Sequence, residues 1–235
     1  MLVKLFEAIQ GTAKVEQITI DDRRYTTAAL VPLKKPEPAA LAISTLTGLA
    51  EFYVNCAGDT GPEDSIIVID GPQSVRIVSI LDEEFQQRRC FLVARNELRA
   101  FPFGTFLDVD TFIVSMLSQF VQDETTAMIL QILATLQDGT VLTFDDDGAS
   151  QKVTAKTGIA RVGEAKVPNP VRLAPFRSFP EIVQPPSNFV LRMRSGAQMP
   201  TCALFEADGG AWRNEAIARI KAWIAGKLPE AIILA

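Results

Sequence analysis

The chain has 235 residues, a net charge of −5 and no histidine. Histidine exchanges a proton near neutral pH and is the commonest transition-metal ligand, so its absence excludes Ser-His-Asp and Cys-His catalysis and HExxH zinc sites. The acidic balance disfavours non-specific DNA binding, which needs a dominant cationic face, although local basic patches remain compatible with it. No constellation of carboxylates or lysines stands out, and we therefore expect a protein that is not an enzyme and has no cofactor.

The cysteine pattern and the hydropathy pattern predict the compartment. The three cysteines are widely spaced in apolar stretches, which favours reduced thiols in a cytosol. The most apolar stretch, residues 111–136, is interrupted by Asp123 and Glu124, so it is too short an apolar run to span a membrane. We therefore predict a soluble, cytoplasmic protein without a membrane partner.

Residues 1–60 contain short, mixed elements and are predicted to form an N-terminal segment apart from the main domain. In chain order the pattern predicts a helix at 2–9, a hairpin of strands at 15–20 and 25–33, a proline-rich linker at 34–38, and a helix that ends near 56. Ser44 or Thr45 can cap that last helix.

Residues 61–235 are predicted to form the main domain. Strands at 65–70, 74–81 and 89–95 indicate an antiparallel meander. Two helices follow, capped by Asp110 and Asp123, and their apolar residues repeat at helical spacing. The spacing predicts a helical hairpin whose apolar seam is core, with a partner interface as the alternative.

The remaining chain is rich in strands and ends in a helix. Strands are predicted at 140–144, 151–156, 162–173, 189–194 and 201–207, then a helix from about 210 to Pro229 and a last strand at 231–235. Regular alternation of strand and helix is missing. The sequence therefore predicts an α+β fold, in which antiparallel sheets pack with the helical hairpin and a C-terminal amphipathic helix.

One acidic cluster is a candidate metal site. Asp145 and Asp147 flank a third aspartate before Gly148, and carboxylate oxygens suit Mg²⁺ or Ca²⁺. Adjacent side chains in an extended chain point to opposite faces, however, and Asp-Asp-Gly is ordinary turn chemistry. We favour a turn and keep a carboxylate–metal enzyme as an alternative.

Arginines near phenylalanines are candidate ligand-binding residues. Four arginines, Arg172, Arg177, Arg192 and Arg194, lie among Phe176, Phe179 and Phe189, and arginine beside aromatic rings can bind phosphates and stack on bases. Arg192 and Arg194 are two residues apart and so project from one strand face. A nucleotide-binding or nucleic-acid-binding protein is therefore an alternative function, although a solvated strand face explains the same pattern.

The composition also favours a homo-oligomer. Apolar residues are slightly above and charged residues, at 22%, slightly below the average for soluble domains. Trp212 and Trp223 are about three helical turns apart and could anchor an interface. Ile232 and Ile233 form a terminal strand that could pair with the sheet edge of another chain. Either element could instead complete the core of its own protomer.

From about residue 65 the chain resembles the YfdQ-like family of phage and prophage proteins. The residues that carry the resemblance are IIVIDGPQSVRIVSIL, FPFGTFLDVDTFIVSMLSQF, DDGASQKVTAKTGI, NPVRLAPFRSFPEI and FVLRMRSG. The family has no established catalytic residues. The resemblance implies a bacterial or phage origin, a cytoplasmic setting in the bacterial host and homo-oligomeric assembly. We therefore expect an accessory protein that acts by homo-oligomeric assembly, by sequestering a host protein or small ligand, or by both.

Overall fold

The computed structural model divides the chain into two compact units, Met1–Pro38 and Ala39–Ala235. In the first, β1 (Gln17–Ile20) and β2 (Arg23–Thr26) form the predicted antiparallel hairpin. The predicted helix at 2–9 lies outside the described residues. Described are residues 17–20, 23–26, 38–56, 65–81, 87–137, 141–146, 151–157, 161–167, 169–194 and 200–235.

The second unit begins at Ala39, ahead of the predicted boundary at residue 60. The reason is that β3 (Leu41–Ile43) and α1 (Leu46–Asn55) pack against strands that come later in the chain. Thr45 caps α1 as predicted, because its hydroxyl accepts a hydrogen bond of 3.1 Å from the Gly48 N–H.

A five-stranded mixed sheet forms the first half of this unit. The predicted antiparallel meander consists of β4 (Ser65–Gly71), β5 (Ser74–Ser79) and β6 (Cys90–Arg95). Two further strands flank it in parallel: β3 pairs with β6, and the final strand, Ile232–Leu234, pairs with β4. The sequence did not predict these parallel pairings.

Helix α1 and the C-terminal helix cover one face of this sheet. The C-terminal helix, Trp212–Lys227, ends just before Pro229 as predicted. We call the buried set between sheet and helices the aliphatic core: Leu46, Leu49, Tyr53, Ile67, Ile69, Val75, Ile77, Leu92, Ala94, Phe179, Ile182, Ile220, Ile224 and Leu228.

A four-stranded antiparallel sheet forms the second half. It contains β7 (Leu107–Asp108), β11 (Val171–Leu173), β12 (Ser187–Arg194) and β13 (Thr201–Glu206), in the order β11-β12-β13-β7. The predicted helical hairpin, α2 (Val109–Gln119) and α3 (Glu124–Gln137), packs on one face. The buried set, here the phenylalanine core, is Phe101, Val109, Phe112, Met116, Phe120, Ile129, Leu133, Val171, Leu173, Phe189, Leu191, Met193, Cys202 and Leu204.

The caps of the hairpin helices match the sequence at one position and differ at the other. Asp123 Oδ1 accepts a 2.8 Å hydrogen bond from the Thr126 N–H, as predicted. At α2 the cap is Asp108 and not Asp110, because Asp108 Oδ1 accepts the Thr111 N–H at 2.8 Å. Asp110 lies one residue inside the helix, in its first turn.

The other described strands form a three-stranded antiparallel sheet. It contains β8 (Val141–Asp146), β9 (Gln151–Thr157) and β10 (Arg161–Val167), and β8 with β9 is the predicted hairpin. The single strand predicted at 162–173 is two strands, separated at the cis peptide between Asn169 and Pro170. The final strand of the chain, Ile232–Leu234, is β14, and the C-terminal helix is α4.

These elements confirm the predicted α+β class, with the correction that one sheet is mixed and that the hairpin and α4 cover different sheets. Among the described residues, no helix has the length and apolar character needed to cross a membrane.

Candidate functional site

Strand β12 places two of the predicted site residues on one exposed surface. Phe189, Leu191 and Met193 alternate into the phenylalanine core. Arg192 and Arg194 therefore project from the opposite side of the strand, where Arg194 is exposed and Arg192 partly exposed. Among the described residues, the helices α2 and α3 pack on the core side of the four-stranded sheet. We call the opposite side of the sheet its open face.

The neighbouring strands add an arginine and two phenylalanines to the open face. Arg172 is exposed on β11, where it lies opposite Asn188. Phe205 is exposed on β13, opposite Val190. Phe106 precedes β7, and its ring centroid lies 6.1 Å from that of Phe205. We call the set Phe106, Arg172, Arg192, Arg194 and Phe205 the arginine–phenylalanine face.

Arg194 is held in place by an aromatic ring. Its Cζ lies 4.0 Å from the centroid of the Phe106 ring. The attraction between a guanidinium and a ring face is worth about 0.5–1 kcal/mol at an exposed site. This contact favours one position of the side chain on the sheet surface and so reduces the rotamer entropy that ligand binding would otherwise cost.

The charge of this face is positive, in contrast to the chain as a whole. Among its described strand residues there are three arginines and one aspartate, Asp108. The carboxylate of Asp108 caps α2, and the hydrogen bonds from Thr111 lower its pKa. The aspartate is therefore already engaged at the helix start, and arginines outnumber acidic residues at these strand positions.

Arg177 does not join the other two predicted arginines. It is only 8% exposed, and its Nη1 forms a 2.5 Å ion pair with Glu206 Oε1. Its Nη2 donates to the hydroxyl of Ser187, at the end of β12 farthest from Arg194. The two ends of that eight-residue strand are roughly 23 Å apart, and Arg177 is on the core side.

The surroundings of Arg177 indicate a structural cation. Burial lowers its pKa to about 10, an effect that the nearby carboxylates of Glu206 and Asp208 oppose. The guanidinium is therefore still charged at neutral pH, with its Cζ 3.9 Å from the ring centroid of Trp212. Arg177 thus fixes the start of α4 to the four-stranded sheet.

A buried glutamine fixes the loop that carries Arg177. Gln184 Oε1 accepts the N–H groups of Arg177 at 3.0 Å and Ser178 at 3.1 Å, and its Nε2 donates to the Phe179 carbonyl. The Ser178 hydroxyl donates to the Pro72 carbonyl at 2.6 Å. The loop therefore joins the two sheets, and a sequence pattern cannot show this because the partners are far apart in the chain.

The predicted interface residues have different environments. Trp212 is buried beside Arg177, so its side chain belongs to the core of the protomer. Trp223 and Ile233 are partly buried against the aliphatic core. Ile232, by contrast, is 51% exposed on β14. Of the four residues, Ile232 has the most solvent-exposed side chain and is therefore the most accessible to a partner.

The described residues do not bring the two acidic candidates together, and they bury one of the three cysteines. Asp145 lies in β8, and Asp147 falls outside the part of the chain that is described. In that part, no cluster of three or more cysteines, aspartates and glutamates could hold a metal. Cys202 is fully buried, and burial raises its pKa to about 12, so its thiol is protonated at neutral pH.

The phenylalanines that are near the arginines in the sequence are not those that lie beside Arg192 and Arg194 in the fold. Phe179 is buried in the aliphatic core, and Phe189 is buried in the phenylalanine core, where its ring centroid lies 5.6 Å from Arg177 Cζ. The Phe176 N–H donates to the Gln119 carbonyl at the end of α2. Phe106 and Phe205 take their place. The alternation of β13 predicts the side on which Phe205 projects, but only the pairing of β13 with β12 brings it to the arginines.

Comparisons with known proteins add no relative to this geometry. No family model, curated protein or solved structure matches the chain. The resemblance to the YfdQ-like family stays a prediction, and function has to be inferred from the open faces of the two sheets.

Proposed function

We propose that the protein is a non-enzymatic phage or prophage accessory protein that works as a homo-oligomer in the host cytosol and sequesters a host protein or small ligand. The missing histidine supports a role without imidazole acid–base catalysis, and the burial of Cys202 keeps that thiol protonated. The observation that carries the proposal is the exposed edge of the five-stranded sheet at β14.

Strand β14 has the features of an interface strand. It is the terminal strand of its sheet, so one side of its backbone faces away from β4. Ile232 and Leu234 are 51% and 52% exposed. The strand is only three residues long, but it contains no charge, proline or bulge, which are other features that keep sheet edges apart. Such an edge favours pairing with another strand.

The partner strand is β14 of a second copy. Two copies related by a twofold axis pair these strands antiparallel, and each contributes the same surface to a closed dimer. Ile232 and Leu234 of one copy then face the same residues of the other, about 5 Å apart between Cβ atoms. Ile66 and Val68, partly exposed beside them on β4, extend the apolar surface.

Light scattering on the intact chain at micromolar concentration tests the assembly. We expect twice the mass of the chain, and the mass of one chain for the double variant Ile232→Lys with Leu234→Lys, because like charges meet across the twofold axis. Val54→Lys is the matched control, since Val54 is 63% exposed on α1, and it keeps the dimer mass. A monomeric wild type, or a double variant that stays dimeric, contradicts the proposal.

A further inference from the structure

We infer that the arginine–phenylalanine face binds single-stranded nucleic acid, with phosphates bound by its arginines and bases stacked on its aromatic and guanidinium planes. The inference is independent of assembly, because this face lies on the four-stranded sheet and β14 on the five-stranded sheet. Charge complementarity and exposed planar groups together identify the occupant.

The arginines form a track that matches a phosphate backbone. Arg192 and Arg194 project from the same side of β12, about 7 Å apart along the strand. Arg172, on the adjacent strand β11, lies opposite Asn188, about 13 Å along the sheet from Arg192, and so adds a third positive charge at a distance. Guanidinium groups donate paired hydrogen bonds that match the geometry of phosphate oxygens. An extended anionic polymer can therefore contact several arginines at once.

The planar groups of the face supply sites for bases. Phe205 is 37% exposed, a large apolar ring on a solvent-facing sheet. One side of the Arg194 guanidinium plane lies against the Phe106 ring, and a base can stack on the opposite side. Stacking on aromatic rings and on arginine is tolerant of sequence, because every base has a π face.

The same features select single strands over duplexes. In a duplex the bases are stacked on one another and their faces are not available to a flat sheet. The chain also carries a net charge of −5, which repels the denser charge of a double helix. The acidic composition that disfavours non-specific duplex binding is thus compatible with a local site for a single strand.

Fluorescence anisotropy with labelled oligothymidylate and oligouridylate tests the arginines. We expect salt-sensitive binding to both oligonucleotides. The one that is bound with the higher affinity identifies DNA or RNA as the target. The slope of log K against log salt is negative, and each phosphate contact on a single strand contributes about −0.7 to it. The double variant Arg192→Ala with Arg194→Ala should therefore have a slope that is smaller in magnitude by about 1.4. Arg95→Ala, an exposed arginine at the end of β6, is the matched control and leaves the slope unchanged.

A second set of variants tests stacking separately from charge. Phe205→Ala lowers the affinity about tenfold, within the range for loss of one base–aromatic contact. Phe176→Ala is the control, because Phe176 is similarly exposed, at 40%, but does not belong to the arginine–phenylalanine face. We expect this variant to bind the oligonucleotide with wild-type affinity. Arg194→Lys keeps the charge and hence the salt slope, but the affinity falls because a lysine cannot stack.

Three results overturn the inference. They are the absence of salt-sensitive binding at low ionic strength, equal affinity for a duplex of the same length, and wild-type affinity in Phe205→Ala. Circular dichroism verifies the fold of each variant. The dimer variant with Ile232→Lys and Leu234→Lys is expected to keep binding, so failure of the assembly proposal and failure of this one can be told apart.

Discussion

The two large sheets of the second unit share one architecture and differ in chemistry. Each is covered by two helices on one face, and we call the other its open face. The core under the four-stranded sheet is built around phenylalanines, with Phe101 contacting the rings of Phe112 and Phe120 edge to face at 5.7 and 5.1 Å. The core of the five-stranded sheet is mostly isoleucine, leucine and valine.

The open faces also differ. On the five-stranded sheet, Arg76 of the central strand forms a 2.6 Å ion pair with Asp70, the neighbouring residues Ile66 and Val68 on β4 are apolar, and β6 adds Phe91 and Arg95 on the same side. On the four-stranded sheet, Arg192 and Arg194 project from the same side as Phe205, Phe106 lies beside Arg194, and Arg172 lies farther along the sheet. Strand alternation buries one face of each sheet and leaves the composition of the other free, so the four-stranded sheet can bind a ligand on its open face while the five-stranded sheet self-associates through its β14 edge.

The largest expected effect comes from the phenylalanine core. Phe112→Ala removes a fully buried ring, and we expect the free energy of unfolding to fall by about 4 kcal/mol. Ile77→Val, in the aliphatic core, removes one methylene and costs about 1 kcal/mol. Urea denaturation measures both.

The same variants test whether the two cores unfold together. Cys202 lies in the phenylalanine core, and thiol labelling of it reports the opening of that core. Because both cores belong to one compact unit, we expect Cys202 labelling and circular dichroism to show the same transition in Phe112→Ala. Labelling of Cys202 at urea concentrations that leave the far-ultraviolet signal intact would show instead that the cores are independent.

The next effect compares the ion pairs of the two sheets. Arg177→Ala leaves Glu206 without its partner and removes the contact with Trp212, and we expect a loss of about 3 kcal/mol of unfolding free energy. Arg76→Ala, the control, breaks a solvent-exposed pair and costs less than about 1 kcal/mol. Equal losses in thermal or urea denaturation would contradict the structural role of Arg177.

The smallest effect concerns the helix cap beside the arginine–phenylalanine face. Asp108→Ala removes the acceptor of the Thr111 N–H, and we expect a loss of about 1 kcal/mol at neutral pH. Asp108→Asn keeps an acceptor and costs less. Chemical denaturation at several pH values measures both.

The lowered pKa of Asp108 gives this cap a defined pH dependence. The ionised form is stabilised in the folded chain, so its contribution is present above the ordinary value of 3.8 and is lost as the pH falls through the lower folded value. The difference in stability between the wild type and Asp108→Asn should therefore shrink between neutral pH and about pH 3. A difference that does not change with pH would show that the carboxylate charge is irrelevant.

Local patterns determined the helices, the turns and most strands. The apolar spacing of α1 to α4, the caps Thr45 and Asp123, and the Glu215–Arg219 pair of α4 all depend on residues within one or two turns of each other. The meander β4 to β6 and the hairpin of β8 and β9 depend on short turns between neighbouring strands. For that reason the sequence alone predicted the α+β class.

Tertiary structure decided the strand order and the candidate site. Parallel pairing of β14 with β4 joins segments at opposite ends of the unit, and no short-range signal encodes it. Arg177, Arg192 and Arg194 look alike in the sequence, yet a loop fixed by Gln184 buries the first while strand alternation exposes the other two. Burial and charge pairing depend on contacts between residues distant in the chain, so only the folded molecule separates the structural arginine from those on the open face.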